Sequence, residues 1–154
     1  MYSKFLLVVL LTALTLVPGC SRLDPLTPEI LSRAEDKWKA HTPPFYRLAI
    51  EMSGDRVETG RFEAAVRDGQ VVSLRRNGLV ITPGSGQDYS MDGLFRMLAQ
   101  ELVLAEKPAV LGAPAGYSAY PQAQFDEDTG RLVRYHRSVG GASNTIDIRV
   151  QFSN

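Results

Sequence analysis

Phe45-Tyr46-Arg47-Leu48-Ala49-Ile50-Glu51-Met52 alternates along its length. Tyr46, Leu48, Ile50 and Met52 share one side, and Arg47 and Glu51 share the other, which is the period of a half-buried strand. Ser53-Gly54-Asp55 reads as a turn, and the next strand carries Phe62, Ala64 and Val66 on one face. A third strand is expected to point Val72 and Leu74 inward. The same pattern is cleanest at the end of the chain, with Ile146, Ile148, Val150 and Phe152 in and Asp147, Arg149 and Gln151 out.

The turn between the second and third of these strands contains Asp68-Gly69. A two-residue loop pairs Arg67 with Gln70 and sets Val72 opposite Ala65, so the two apolar sets fall on opposite faces. A three-residue loop, Arg67-Asp68-Gly69 with a left-handed Gly69 in a bulge, pairs Ala64 with Val72 and Phe62 with Leu74. The expectation is therefore the bulged loop. Asn77-Gly78 is a further turn signal, with a short return strand at Leu79-Val80-Ile81, and residues 83–89 read as a plain Gly-rich loop.

Two helices flank these strands. Thr27-Pro28-Glu29 combines an N-cap, a proline at the first helical position and an acid at the positive end of the dipole. Ile30, Leu31, Ala34 and Trp38 then fall on one stripe, which makes Trp38 a core residue. Ser90 caps the second helix, whose stripe is Met91, Leu94, Phe95, Leu98 and Leu102; Met97 and Leu104 flank it, with packing against the first helix expected. Residues 109–121 are irregular. Short strands follow with Ala123 and Phe125 inward, then Val133 and Tyr135. The order predicts an α+β domain, an antiparallel β-sheet with two helices packed on one face.

The N-terminus suggests an address. Lys4 is followed by an uncharged run at residues 5–17, too short to cross a hydrocarbon core of about 30 Å as an ordinary helix. It reads as the core of a signal peptide at residues 1–19. Val17-Pro18-Gly19-Cys20 resembles the bacterial lipobox, which would make Cys20 the lipidated first residue of the mature chain. Three acyl chains there exceed the two signals needed for stable anchoring. Ser21 favours the outer membrane in a Gram-negative host. Residues 20–27 are then a tether and 28–154 a single domain. Cys20 is the one cysteine in the chain, so an intramolecular disulfide and a cysteine nucleophile are excluded. Lys+Arg and Asp+Glu are both 17, which leaves no net field to attract nucleic acid.

Trp38 followed by Tyr46, the stretch Val66-Arg67-Asp68-Gly69-Gln70-Val71-Val72-Ser73, Met91-Asp92-Gly93-Leu94-Phe95 and Tyr120-Pro121 occur in this order. In these pieces the chain resembles the domain of unknown function 6174 family of exported bacterial domains, over roughly residues 34–126. Many members also carry a paired-cysteine stretch after the first strand, which this chain lacks. The resemblance implies a fold and an exported location, and no catalytic residue.

No cofactor is implied. Asp126-Glu127-Asp128-Thr129-Gly130 opens like a calcium loop but lacks the closing Glu, and reads as a hairpin turn. His41 and His136, the only histidines, have no metal-ligand spacing. A hydrolase would need a serine beside one of them, and nothing resembles a nucleophile elbow. Arginine outnumbers lysine 13 to 4. Arg47, Arg61, Arg67 and Arg149 are expected on the outward face of the sheet, where they form a candidate anion-binding surface, although Glu51, Glu63 and Asp147 share that face. The sequence thus points to a non-enzymatic, membrane-tethered module binding an envelope protein or polymer; the alternatives are an anionic-polymer binder and a cryptic hydrolase.

Overall fold

Strand β2 (Phe45–Gly54) lies inside a sheet, with β3 (Gly60–Arg67) on one side and β8 (Ile146–Ser153) on the other. The computed structural model describes residues 22–154 except Arg56 and Ser85. The expected leader, Cys20 and Ser21 lie outside the described residues. The remaining elements are β1 (Asp24–Pro25), α1 (Pro28–His41), β4 (Gln70–Arg76), β5 (Leu79–Ile81), α2 (Met91–Ala105), a 3-10 turn at Pro108–Leu111, β6 (Ala119–Phe125) and β7 (Leu132–Val139). Among the described residues eight strands form one antiparallel sheet in the order β1-β6-β7-β8-β2-β3-β4-β5. The α+β class is as the sequence predicts.

The inward residues of β2, Tyr46, Leu48, Ile50 and Met52, are all buried, and they meet Phe62, Ala64 and Val66 of β3 and Ile148 and Val150 of β8. The helices lay Leu31, Ala34 and Trp38 of α1 and Met91, Leu94, Phe95 and Leu98 of α2 on this surface, in one continuous core. Both caps form as read: Thr27 Oγ1 accepts from Ile30 N at 3.3 Å and Ser90 Oγ from Gly93 N at 3.0 Å. Tyr46 reaches across the layers, its hydroxyl accepting from Met91 N at 3.1 Å. Burial of the phenol pushes its pKa up to about 12. Asp24 and Pro25, read as tether, pair with Ala123 and Gln122, and Leu26 is buried in the core. The short β1 also covers the free edge of β6.

The β3–β4 turn differs from the expectation. Arg67 pairs directly with Gln70, and Asp68 and Gly69 both have positive φ, 50° and 77°. That is a two-residue turn whose twist matches the strands, and only a residue tolerant of the left-handed region sits comfortably in its second place. The extra residue needed to restore the apolar register lies inside β4 instead. Val66 pairs with Val71 but Ala65 with Ser73, so Val72 is bulged and 54% exposed. Ala64 faces Leu74, and Phe62 faces Arg76. A second bulge in β7, where Phe125 pairs with Leu132 but Gln124 with Arg134, displaces Val133. Leu132 takes the buried place expected for Val133, and Tyr135, Arg137 and Val139 follow it inward.

The acidic turn after β6 is a hairpin whose first carboxylate is consumed locally. Asp126 Oδ1 accepts from Thr129 N and Oγ1 at 2.9 and 2.7 Å, and Oδ2 from Arg131 at 3.0 Å. Bonding to the Thr129 hydroxyl, helped by Arg131, brings the Asp126 pKa down to about 2. A depressed carboxylate stabilises the fold above its unfolded pKa and loses that contribution as pH falls through the folded value. Asp126→Asn is therefore expected to lower the melting temperature at pH 7, with the difference from wild type shrinking between about pH 4 and pH 2. A gap that stays constant across that range would show that Asp126 acts through packing and not charge.

Candidate functional site

The helices cover one face of the sheet. Among the described residues the other face is bare of helices, and cross-strand pairing orders it into rows, because directly opposed residues of antiparallel strands point the same way. One row runs Gln151, Ala49, Glu63, Arg75, and the next runs Ser153, Arg47, Ala65, Ser73. Beside them Phe45 opposes Arg67. On the other flank Arg134, Arg149, Glu51 and Arg61 make a row, with His136 and Asp147 beyond. The strands of this face thus carry six arginines against three carboxylates, in a chain whose formal net charge is zero.

All four arginines expected outward are on this face, but they divide in two. Arg61 is held by Glu51 at 3.1 Å and Glu63 at 3.3 Å, and Arg149 by Asp147 at 3.2 Å. Asp147 also takes Arg134 at 2.6 Å and lies 3.4 Å from His136 Nδ1. Partial burial raises the pKa of Asp147, and Arg134 and Arg149 outweigh it, so the carboxyl stays below its usual range. Arg47 and Arg67 instead lie against the Phe45 ring, their guanidiniums 5.5 and 5.7 Å from its centroid. Arg75, not singled out in the sequence, joins them. Among the described residues none of the three makes an ion pair with a carboxylate. Arg47 and Arg75 border a shallow groove of about 620 Å³ lined also by Ala49, Ala65, Ser73, Gln151 and Ser153, and by Glu63, whose carboxylate is the one held by Arg61. Small residues between long flanking ones are what make the groove there.

The other candidates fall elsewhere. His41 ends α1, its Nδ1 2.7 Å from the Lys37 carbonyl, whereas His136 lies on the bare face, so the two are not brought together. Met97 and Leu104 line a cleft of about 270 Å³ with Met52, Val57 and Tyr89, toward the β2–β3 connection. The helices touch instead at the start of α2, where Trp38 Nε1 donates to Asp92 Oδ1 at 3.1 Å. A buried polar cluster was missed: Arg137 of β7 is bonded to Glu101 of α2 and to Asn144, whose amide donates to the Leu111 carbonyl at 3.0 Å. The signals were present. Alternation from Tyr135 sends Arg137 inward, and Glu101 falls on the stripe of Leu94 and Leu98.

Fold and face together define an antiparallel sheet protein with helices on one side and an arginine-rich bare surface on the other. The chain matches no protein-family model, and neither a curated protein nor a solved structure is significantly similar to it.

Proposed function

We propose that this is an exported bacterial lipoprotein, held at a membrane through Cys20, that works as a non-enzymatic binding module of the cell envelope. The observation that carries the reading is the bare sheet face: a broad surface, one side of a rigid eight-stranded layer, with an arginine surplus that the fold itself does not use. Rigid strands present side chains in fixed rows, which suits recognition more than the movements of a catalytic cleft. The lipobox supplies the attachment, and the resemblance to an exported family agrees with it. Asp24 is hydrogen-bonded into the sheet four residues after Cys20, a span of at most about 14 Å, so the anchor would keep the domain close to the bilayer.

Two measurements test this reading. Cys20→Ser is expected to move the protein from the membrane fraction to the soluble fraction, and mass spectrometry of the wild type to find residue 20 acylated at the mature N-terminus. An unmodified Cys20 with its leader attached would refute the anchor. For the face, a photo-crosslinker at Ala65 is expected to capture envelope material in cells, and one at exposed Lys39 of α1 to capture none. Equal capture from both positions would refute the assignment of the face.

A further inference from the structure

We infer that the groove between Arg47 and Arg75, together with Arg67, is a site for a linear polyanion bearing phosphate or carboxylate groups. The inference rests on the bare face being the binding surface and deepens it by naming the ligand chemistry and the residues.

Three observations carry it. The first is the division of the arginines. Glu51, Glu63 and Asp147 are committed to Arg61, Arg134 and Arg149, so the surplus charge falls on Arg47, Arg67 and Arg75, which run across β2, β3 and β4 from the β3–β4 turn to the far end of β4. Guanidinium groups without a carboxylate are the ones free to form bidentate bonds to an incoming phosphate or carboxylate. The second is preorganisation. The Phe45 ring packs against both Arg47 and Arg67, which limits the rotamer freedom those side chains would lose on binding.

The third is shape. The groove is lined by the small Ala49 and Ala65, with Ser73, Gln151 and Ser153 available for hydrogen bonds; the one carboxylate in its lining, Glu63, is held by Arg61 at 3.3 Å. From strand spacing and rise, the Cα atoms of Arg47, Arg67 and Arg75 lie roughly 8 to 14 Å apart. Successive charged groups along one chain match that spacing better than a single small anion. A flat bilayer would meet the whole face at once, including Glu51 and Asp147, which lie outside the groove. The sheet order also sets β2, β3 and β4 four, five and six strands from β1, about 19 to 29 Å from the edge nearest Cys20. A polymer strand in the aqueous envelope is therefore the occupant the site fits.

The test uses the full mature protein in neutral detergent, with medium-chain inorganic polyphosphate, polygalacturonate and vesicles containing anionic phosphatidylglycerol as probes. Wild type is expected to bind at least one of the polymers at about 50 mM salt, more weakly as salt rises. Arg47→Gln/Arg67→Gln is expected to weaken binding about tenfold or more, and adding Arg75→Gln to weaken it further. Arg134→Gln/Arg149→Gln removes the same formal charge from the same face and is expected to change affinity by less than about threefold. Equal losses from the two double variants would overturn the site, as would tighter binding to vesicles than to either polymer, or no binding to either polymer. Capture of an envelope protein from Ala65 without polymer binding would overturn this inference and leave the proposed function standing. Loss of both would overturn both.

Discussion

Glu101→Leu is expected to destabilise the protein by about 3–5 kcal/mol, because it leaves the guanidinium of Arg137 buried without its counter-ion. Arg137 has no solvent exposure and Glu101 very little. The glutamate accepts from Arg137 and, at 3.4 Å, from the Tyr135 hydroxyl. Arg137→Met is expected to cost a similar amount, since the carboxylate is then the stranded charge. The double variant Glu101→Leu/Arg137→Met is expected to lie close to wild type, because neither charge remains to be desolvated. Denaturant unfolding of the four proteins forms a cycle, and the coupling should be several kcal/mol and favourable in the double variant. Losses that simply add, with the double variant worst of all, would show that the cluster is held by contacts other than the ion pair. Asn144 makes a smaller contribution, because it joins Arg137 to the Leu111 carbonyl and so ties the 3-10 turn to the loop before β8.

This cluster marks where the sequence was readable and where it was not. The alternation of β2 and β8 and the caps at Thr27 and Ser90 are local signals, and local chemistry decides them. The sheet and its covering helices followed from those signals. The β3–β4 register required one extra residue, and the apolar pattern said so. It could not say where, because a bulge at Val72 restores the inner face as well as a longer turn does. Asp68-Gly69 settled the matter through backbone twist, and Val72 was left in solvent. Val133 is the same case in β7. Arg137 and Glu101 each occupied an apolar position in their element's pattern, but only tertiary contact shows that they compensate one another. On the bare face, strand parity placed Arg47, Arg61, Arg67 and Arg149. Which of them is neutralised depends on cross-strand neighbours, so Arg47 and Arg61 look alike in sequence and differ in the fold.

Trp38→Ala is the other substitution expected to have a large effect, about 3–5 kcal/mol from the cavity and lost apolar contact. Trp38 is 1% exposed and stands edge-on to Tyr46 at 5.3 Å and to Phe152 at 5.9 Å, so one side chain joins α1 to β2 and β8. Its indole also donates to Asp92 in the first turn of α2. Two contributions can be separated. Trp38→Phe keeps most of the ring contact and loses the hydrogen bond, and is expected to cost about 1–2 kcal/mol. A domain of this size has a total stability of about 5–15 kcal/mol, so the alanine variant should melt on the order of 10–20 °C lower and approach unfolding at growth temperature. Calorimetry on the two variants decides the matter: an alanine variant melting within a few degrees of wild type would mean that Tyr46 and Phe152 close over the gap. Trp38 packs on the covered side of the sheet. Below its melting point the alanine variant should therefore bind polyanion as wild type does, whereas Arg47→Gln/Arg67→Gln should melt normally and bind poorly. That crossed pattern would separate the layer that holds the sheet together from the face proposed to act.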